Sequence, residues 1–159
     1  MIISRGVIQD IFHPESAMRA LDRALKPGGL MLHKIAISDY TIFTESVHHP
    51  LMFLTVSDFV YRYMACHSPV PNRWRVGDYR RLMAEMGYDI TLLVTSVLGV
   101  GPIEPHKAEV VRGVDYGEET LKLIAEIRPR LAKRFRDLPD EELAVTGVFM
   151  VARKSGGAA

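Results

Sequence analysis

The sequence predicts an α/β fold built around one core. Three observations indicate it: an amphipathic helix between two short apolar runs, a Pro-Gly-Gly turn after that helix, and a β-branched run at 144–151. Strand, helix and strand in that order form a right-handed crossover with parallel strands. The 159 residues, 48% of them hydrophobic, suit one ordinary domain, expected at 1–154 with a flexible tail at 155–159.

The first crossover unit is predicted from its ends. Met1–Ser4 is interpreted as a short buried strand. A helix begins near Pro14, which suits the first helical position because its missing N–H would be unpaired there anyway. Apolar residues recur on one helical face as far as Leu25, and Lys26–Gly29 ends the helix because proline cannot continue it. The second strand is Leu30–Ile35.

Residues 38–72 are expected to form a helical insertion. Four apolar residues there can share a helical face: Phe53, Val56, Val60 and Met64. That face either packs in the core or forms a lid over a substrate pocket. The rest of the chain predicts, in order, a helix at 76–86, a strand at 88–94, a long connection at 99–117, a helix at 118–136 bent at Pro129, and a strand at 144–151.

Composition argues against several partners. Lys and Arg number 20 and Asp and Glu 19, so no overall charge draws the protein to nucleic acid or to an anionic membrane. The basic run at 128–136 is balanced by neighbouring acids and is interpreted as a solvated face. No apolar run approaches the ~20 residues that cross a bilayer. Cys66 is the single cysteine, expected to be a buried, inert thiol in a reducing cytoplasm.

Several sequence motifs follow one another in the order in which they occur in a known protein family. Val7–Ile11 and then Phe12–Glu15 follow the first strand, the turn is Leu25–Gly29, a later helix ends in Met86–Tyr88, and the chain closes on Val145–Lys154. Together they resemble the C-terminal half of an S-adenosylmethionine-dependent methyltransferase. The resemblance implies part of a Rossmann-like sheet, from its fourth strand onward, with the helical insertion and a C-terminal antiparallel strand.

The resemblance also implies a site for S-adenosylmethionine and a small-molecule methyl acceptor. The residues expected to contact the cofactor lie where the first strand ends: Ser4, Arg5, Gly6 and Gln9. The alternative is that Gly6 merely turns the chain and Arg5 faces solvent. The residues expected near the acceptor lie along and after the second strand: His33, Lys34, Asp39 and Tyr40. Either His33 or Lys34 faces the substrate side while the other packs.

The segment Asn72–Arg75 has two possible interpretations. Arg73 and Arg75 form a basic, aromatic site for an anionic acceptor, or the segment is a surface turn with Trp74 packed as an anchor. No metal site is expected, because no carboxylate completes a familiar spacing with the histidines at 48, 49 and 67.

One family feature is missing from the sequence. The Gly-rich loop that cradles the cofactor has no counterpart, since Gly99–Gly101 runs into Pro102 and opens no helix. We therefore expect a truncated portion that is weak or inactive alone, with the edge of Ile2–Ser4 left unpaired. That edge would bind a second copy or a separate N-terminal half. The alternatives are a non-catalytic, methyltransferase-like dimerisation or partner-binding module, and an unrelated α/β domain.

Overall fold

Five strands form one mixed sheet in the computed structural model, which describes residues 1–39, 49–66 and 70–156. The strands are β1 (Ile2–Arg5), β2 (Leu30–Ala36), β3 (Tyr88–Val97), β4 (Gly101–Lys107) and β5 (Val145–Lys154). The helices are α1 (Pro14–Ala24), α2 (Asp58–Ala65), α3 (Val76–Glu85), α4 (Glu118–Ile127), α5 (Lys133–Arg136) and α6 (Asp140–Ala144). Short 3-10 turns cover Ile8–Asp10, Met52–Leu54 and Arg128–Arg130.

The sheet has the strand order β1-β2-β5-β3-β4. β1 and β2 are parallel, which confirms the predicted crossover through α1. β5 is antiparallel to both β2 and β3, so those two strands run in the same direction on either side of it. The C-terminal strand is therefore antiparallel, as expected, and it lies at the centre of the sheet. β4 pairs with β3 as an antiparallel hairpin.

The two faces of the sheet differ in burial. One face carries Met31, His33 and Ile35, and in the paired strand Met150 lies opposite His33; all four are buried. Successive strand residues point to opposite faces, so the intervening residues share the other face. These are half-buried or exposed: Ile3, Leu32, Lys34, Leu93 and Phe149. The core of the chain therefore lies mainly on one side of its sheet.

Some local predictions are wrong. Met1–Ser4 is not a buried strand, since β1 lies at the sheet edge and Ile3 is 63% exposed. The predicted face of the insertion is also wrong. Ser57 accepts a hydrogen bond from the Val60 N–H and starts α2 after Phe53, so Tyr61 is the buried residue while Val60 is exposed. Cys66 is exposed rather than buried.

Two longer segments also differ from expectation. The connection at 99–117 contains β4, and the helix at 118–136 divides into α4, a 3-10 turn at Arg128–Arg130 and α5. Pro129 lies in that 3-10 turn, where the ring interrupts regular helix. Among the described residues, no helix has both the length and the apolar character that crossing a bilayer requires.

Candidate functional site

A cleft opens where the parallel strands β1 and β2 end. We call it the strand-end cleft; its volume is about 280 Å³ and its wall includes Arg5, Gly6 and Lys34. The carboxyl ends of parallel strands meet at the same edge, and Arg5 lies beside Lys34 in the register. Three residues predicted from the sequence are thus brought together. Both cations are exposed, so the mouth of the cleft is positively charged.

Gly6 turns the chain at this point. Its N–H donates to the Lys34 carbonyl at 3.0 Å, which extends the β1–β2 pairing by one bond. Its φ of 68° lies in the left-handed region, where a side chain is strained. The turn sends the chain away from the sheet into the 3-10 turn Ile8–Asp10. Gly6 therefore both turns the chain and contributes backbone to the cleft wall.

Small polar side chains form the opposite wall, and the sequence did not single them out. Thr146 and Ser96 are joined by a hydrogen bond of 3.0 Å between their hydroxyl oxygens. A Cβ at Gly147 would lie 2.6 Å from Ser96 Oγ and 2.9 Å from Thr95 Oγ1. β3 and β5 approach closely here, at the point where the β3–β5 register shifts around Ser96. Two cations facing hydroxyl groups suit a carboxylate or another small anion.

Ser4 and His33 meet on the buried face of the sheet. Ser4 Oγ lies 2.7 Å from His33 Nδ1, and the imidazole is fully buried. Burial lowers the pKa of His33 to about 4, so the ring is neutral at neutral pH. Its Nε2 has no hydrogen-bond partner among the described residues. His33 therefore packs against the core, while Lys34 faces the cleft.

Gln9 and Asp39 lie outside the cleft wall. Gln9 is buried in the 3-10 turn, and its Oε1 has no hydrogen-bond partner in the described part of the chain. Asp39 is also buried, and its N–H donates to the Pro50 carbonyl at 2.8 Å. The predicted acceptor contact Tyr40 lies outside the described residues, as do His48 and His67.

A second cavity lies between the start of α1 and α2. We call it the α1–α2 cavity; its volume is about 380 Å³, and Arg73 and Trp74 line it. The Arg73 side chain is 5% exposed, and its guanidinium lies 4.2 Å from the Tyr61 ring centroid. It donates to the Val56 carbonyl and to Asp58. Burial lowers the pKa of Arg73 to about 10, which leaves it cationic at neutral pH.

Arg75 holds the fold together and lines neither of these cavities. Its Nη1 donates to the Ile37 carbonyl at 2.6 Å, and its Nη2 donates to the Glu142 and Val145 carbonyls at 2.7 Å each. The residue is 1% exposed, and burial lowers its pKa to about 10. Of the two arginines predicted for an anionic acceptor, only Arg73 therefore borders the α1–α2 cavity.

The described residues contain no group of three or more His, Cys, Asp or Glu side chains placed to hold a metal ion. His49 has a structural role: its Nδ1 accepts from the Leu51 N–H at 3.1 Å, and its Nε2 lies 3.1 Å from the Leu123 carbonyl oxygen.

The fold defines the class of the protein as α/β with a five-stranded mixed sheet. In the comparison with known proteins, no protein-family model and no curated protein matches the chain.

Proposed function

We propose that this chain is a portion of an S-adenosylmethionine-dependent methyltransferase that acts on a small molecule. The strand-end cleft is the observation that carries the proposal. It brings Arg5, Gly6 and Lys34 together at the carboxyl ends of parallel strands, where open α/β sheets bind their ligands. The antiparallel C-terminal strand, which the resemblance implies, supports the same proposal. Cys66 is the single cysteine, so no disulfide can form within the chain, which supports a reducing cytoplasm as its location.

The residues fit part of the cofactor. At about 280 Å³, the cleft lies just below the roughly 300–1,000 Å³ range of small-molecule sites. Its two cations and hydroxyl groups suit the carboxylate end of the cofactor or an anionic acceptor. This partial fit agrees with a chain that is weak or inactive by itself.

The chain's own residues would act by holding the cofactor and the acceptor and by orienting them relative to each other. S-adenosylmethionine supplies an electrophilic methyl group, and the acceptor must lie in line with it. Arg5 and Lys34 would fix an anionic group at the mouth, and Ser96 and Thr146 would accept or donate hydrogen bonds at the opposite wall. His33 takes no acceptor proton, because it is buried on the other face of the sheet.

Calorimetric titration with S-adenosylhomocysteine tests the proposal. We expect saturable but weak binding, because the chain has no counterpart of the Gly-rich loop that cradles the cofactor. Lys34→Gln should weaken it about tenfold through the loss of a charge-assisted hydrogen bond. Arg23→Gln, which removes an exposed cation from α1, should leave it unchanged. A folded chain that releases no heat would contradict cofactor binding and favour the second candidate.

The second candidate is a non-catalytic module that binds a partner through β1. The observation that favours it is the sheet edge: β1 pairs only with β2 within the described residues, and Met1 and Ile3 are 76% and 63% exposed. An apolar edge is a template for another strand. Light scattering should then find a dimer that Ile3→Lys converts to a monomer, while Val114→Lys, at an exposed position outside the strands, has no effect. A monomeric wild type excludes self-association.

A further inference from the structure

The α1–α2 cavity has the charge and the walls of a ligand site. We propose that it binds a small aromatic carboxylate, with Arg62 and Arg134 holding the carboxylate and with Phe12 and Trp74 contacting the ring. The cavity of about 380 Å³ lies within the range of small-molecule sites, roughly 300–1,000 Å³. The inference concerns binding by this chain and does not depend on methyl transfer.

The cavity wall has an excess of positive charge. Among the described residues that line it, three carry a guanidinium group, Arg62, Arg73 and Arg134, and one, Asp58, carries a carboxylate. Asp58 pairs with Arg73 and lies 3.6 Å from Arg134 Nε. Its one negative charge cannot balance three positive ones. An anion that enters the cavity therefore meets uncompensated charge in a partly enclosed space, where water screens it less than at an open surface.

The donors of two of these arginines remain available. Both terminal nitrogens of Arg73 already donate hydrogen bonds, one to the Val56 carbonyl and one to Asp58. One terminal nitrogen of Arg134 donates to the Arg73 carbonyl at 3.3 Å, and the side chain is 47% exposed. The Arg62 side chain is exposed, and no hydrogen bond or ion pair of its guanidinium is seen in the described part of the chain. Arginine presents a planar fork of N–H groups, which matches a carboxylate in bidentate geometry.

Aromatic side chains give the cavity its preference for a ring. Phe12, Tyr61 and Trp74 all line it. Trp74 is held by an edge-to-face contact with the Tyr79 ring, whose centroid lies 5.1 Å away, so its orientation is set by the core. Aromatic groups pack in offset or edge-to-face arrangements that a planar ligand can join. An anion without a ring would make no contact with these aromatic side chains, and an uncharged ring would not pair with the arginines.

Trp74 is the only tryptophan in the chain, so its fluorescence reports on this cavity directly. The experiment titrates the full chain with benzoate and follows tryptophan emission, with acetate and benzamide as probes that lack the ring or the charge. We expect a saturable change with benzoate and at least tenfold weaker binding of the other two. Arg62→Gln should weaken benzoate about tenfold, the loss of one charge-assisted hydrogen bond.

The controls separate this site from a general anion effect. Arg23→Gln removes an exposed cation outside the cavity and should bind benzoate like the wild type. Phe12→Leu should weaken benzoate but not acetate. Equal binding of benzoate and acetate, equal binding of benzoate and benzamide, or no response to benzoate would each overturn the proposal. No S-adenosyl compound is present, so failure here is distinct from failure of the methyltransferase proposal.

Discussion

Arg75→Met removes a buried guanidinium that joins three parts of the chain. The arginine donates to carbonyls of Ile37, which follows β2, of Glu142 in α6 and of Val145 in β5. Methionine fills similar space but donates nothing, so these carbonyls lose a partner in a site closed to water. Each unsatisfied group costs about 1–3 kcal/mol. Relief of the buried charge offsets part of that cost, and we expect a net loss of about 3 kcal/mol.

Urea denaturation followed by circular dichroism measures this loss as a change in the free energy of unfolding. The matched control is Arg81→Met in α3, whose side chain is 65% exposed and pairs with Asp78 at 2.9 Å. Exposed ion pairs contribute about 0–1 kcal/mol, so this variant should stay near the wild type. If the two variants lose equal stability, then the carbonyl bonds of Arg75 do not hold the fold in the way inferred here.

Two other predictions follow from buried positions. Burial lowers the pKa of His33 from 6.5 to about 4, so the unfolded chain binds more protons between these values. Stability should therefore fall by up to about 3 kcal/mol as the pH drops from 6.5 to 4, and His33→Leu should flatten this part of the profile; an unchanged slope assigns it to other groups. Gly147→Ala places a Cβ 2.6 Å from Ser96 Oγ and should cost about 1–3 kcal/mol in a urea titration. Adding Ser96→Ala should recover part of that loss, and no recovery would mean that the clash lies elsewhere.

The elements predicted well from the sequence are those with local signals. Pro14 at the first helical position and the Lys26–Gly29 turn mark both ends of α1 within a few residues. The crossover then requires β1 and β2 to be parallel, as they are. β4 was missed because Pro102 and Pro105 are typical of loops, and only pairing with β3 makes the segment a strand. Edge strands tolerate proline, since one side of the backbone needs no donor.

The same distinction applies to the candidate site. Arg5, Gly6 and Lys34 could be predicted because each lies at or near a strand end, a position that chain order alone indicates. Ser96 and Thr146 could not, because their hydroxyl groups meet only through the β3–β5 pairing and its shifted register. The structural role of Arg75 also could not be predicted from the sequence. Its partners are backbone carbonyls from distant segments, and no side-chain pattern in the sequence marks them.

The position of β5 has a consequence for the order of folding on the ribosome. β1 and β2 can pair early, and β3 and β4 can form their hairpin, but among the described residues only Val145–Lys154 pairs with a strand of each half. Val145–Lys154 must therefore leave the exit tunnel before the centre of the sheet closes. Until then the nascent chain exposes two half-sheets, each with an unpaired strand edge. A chaperone that covers such edges would therefore act mainly at this stage.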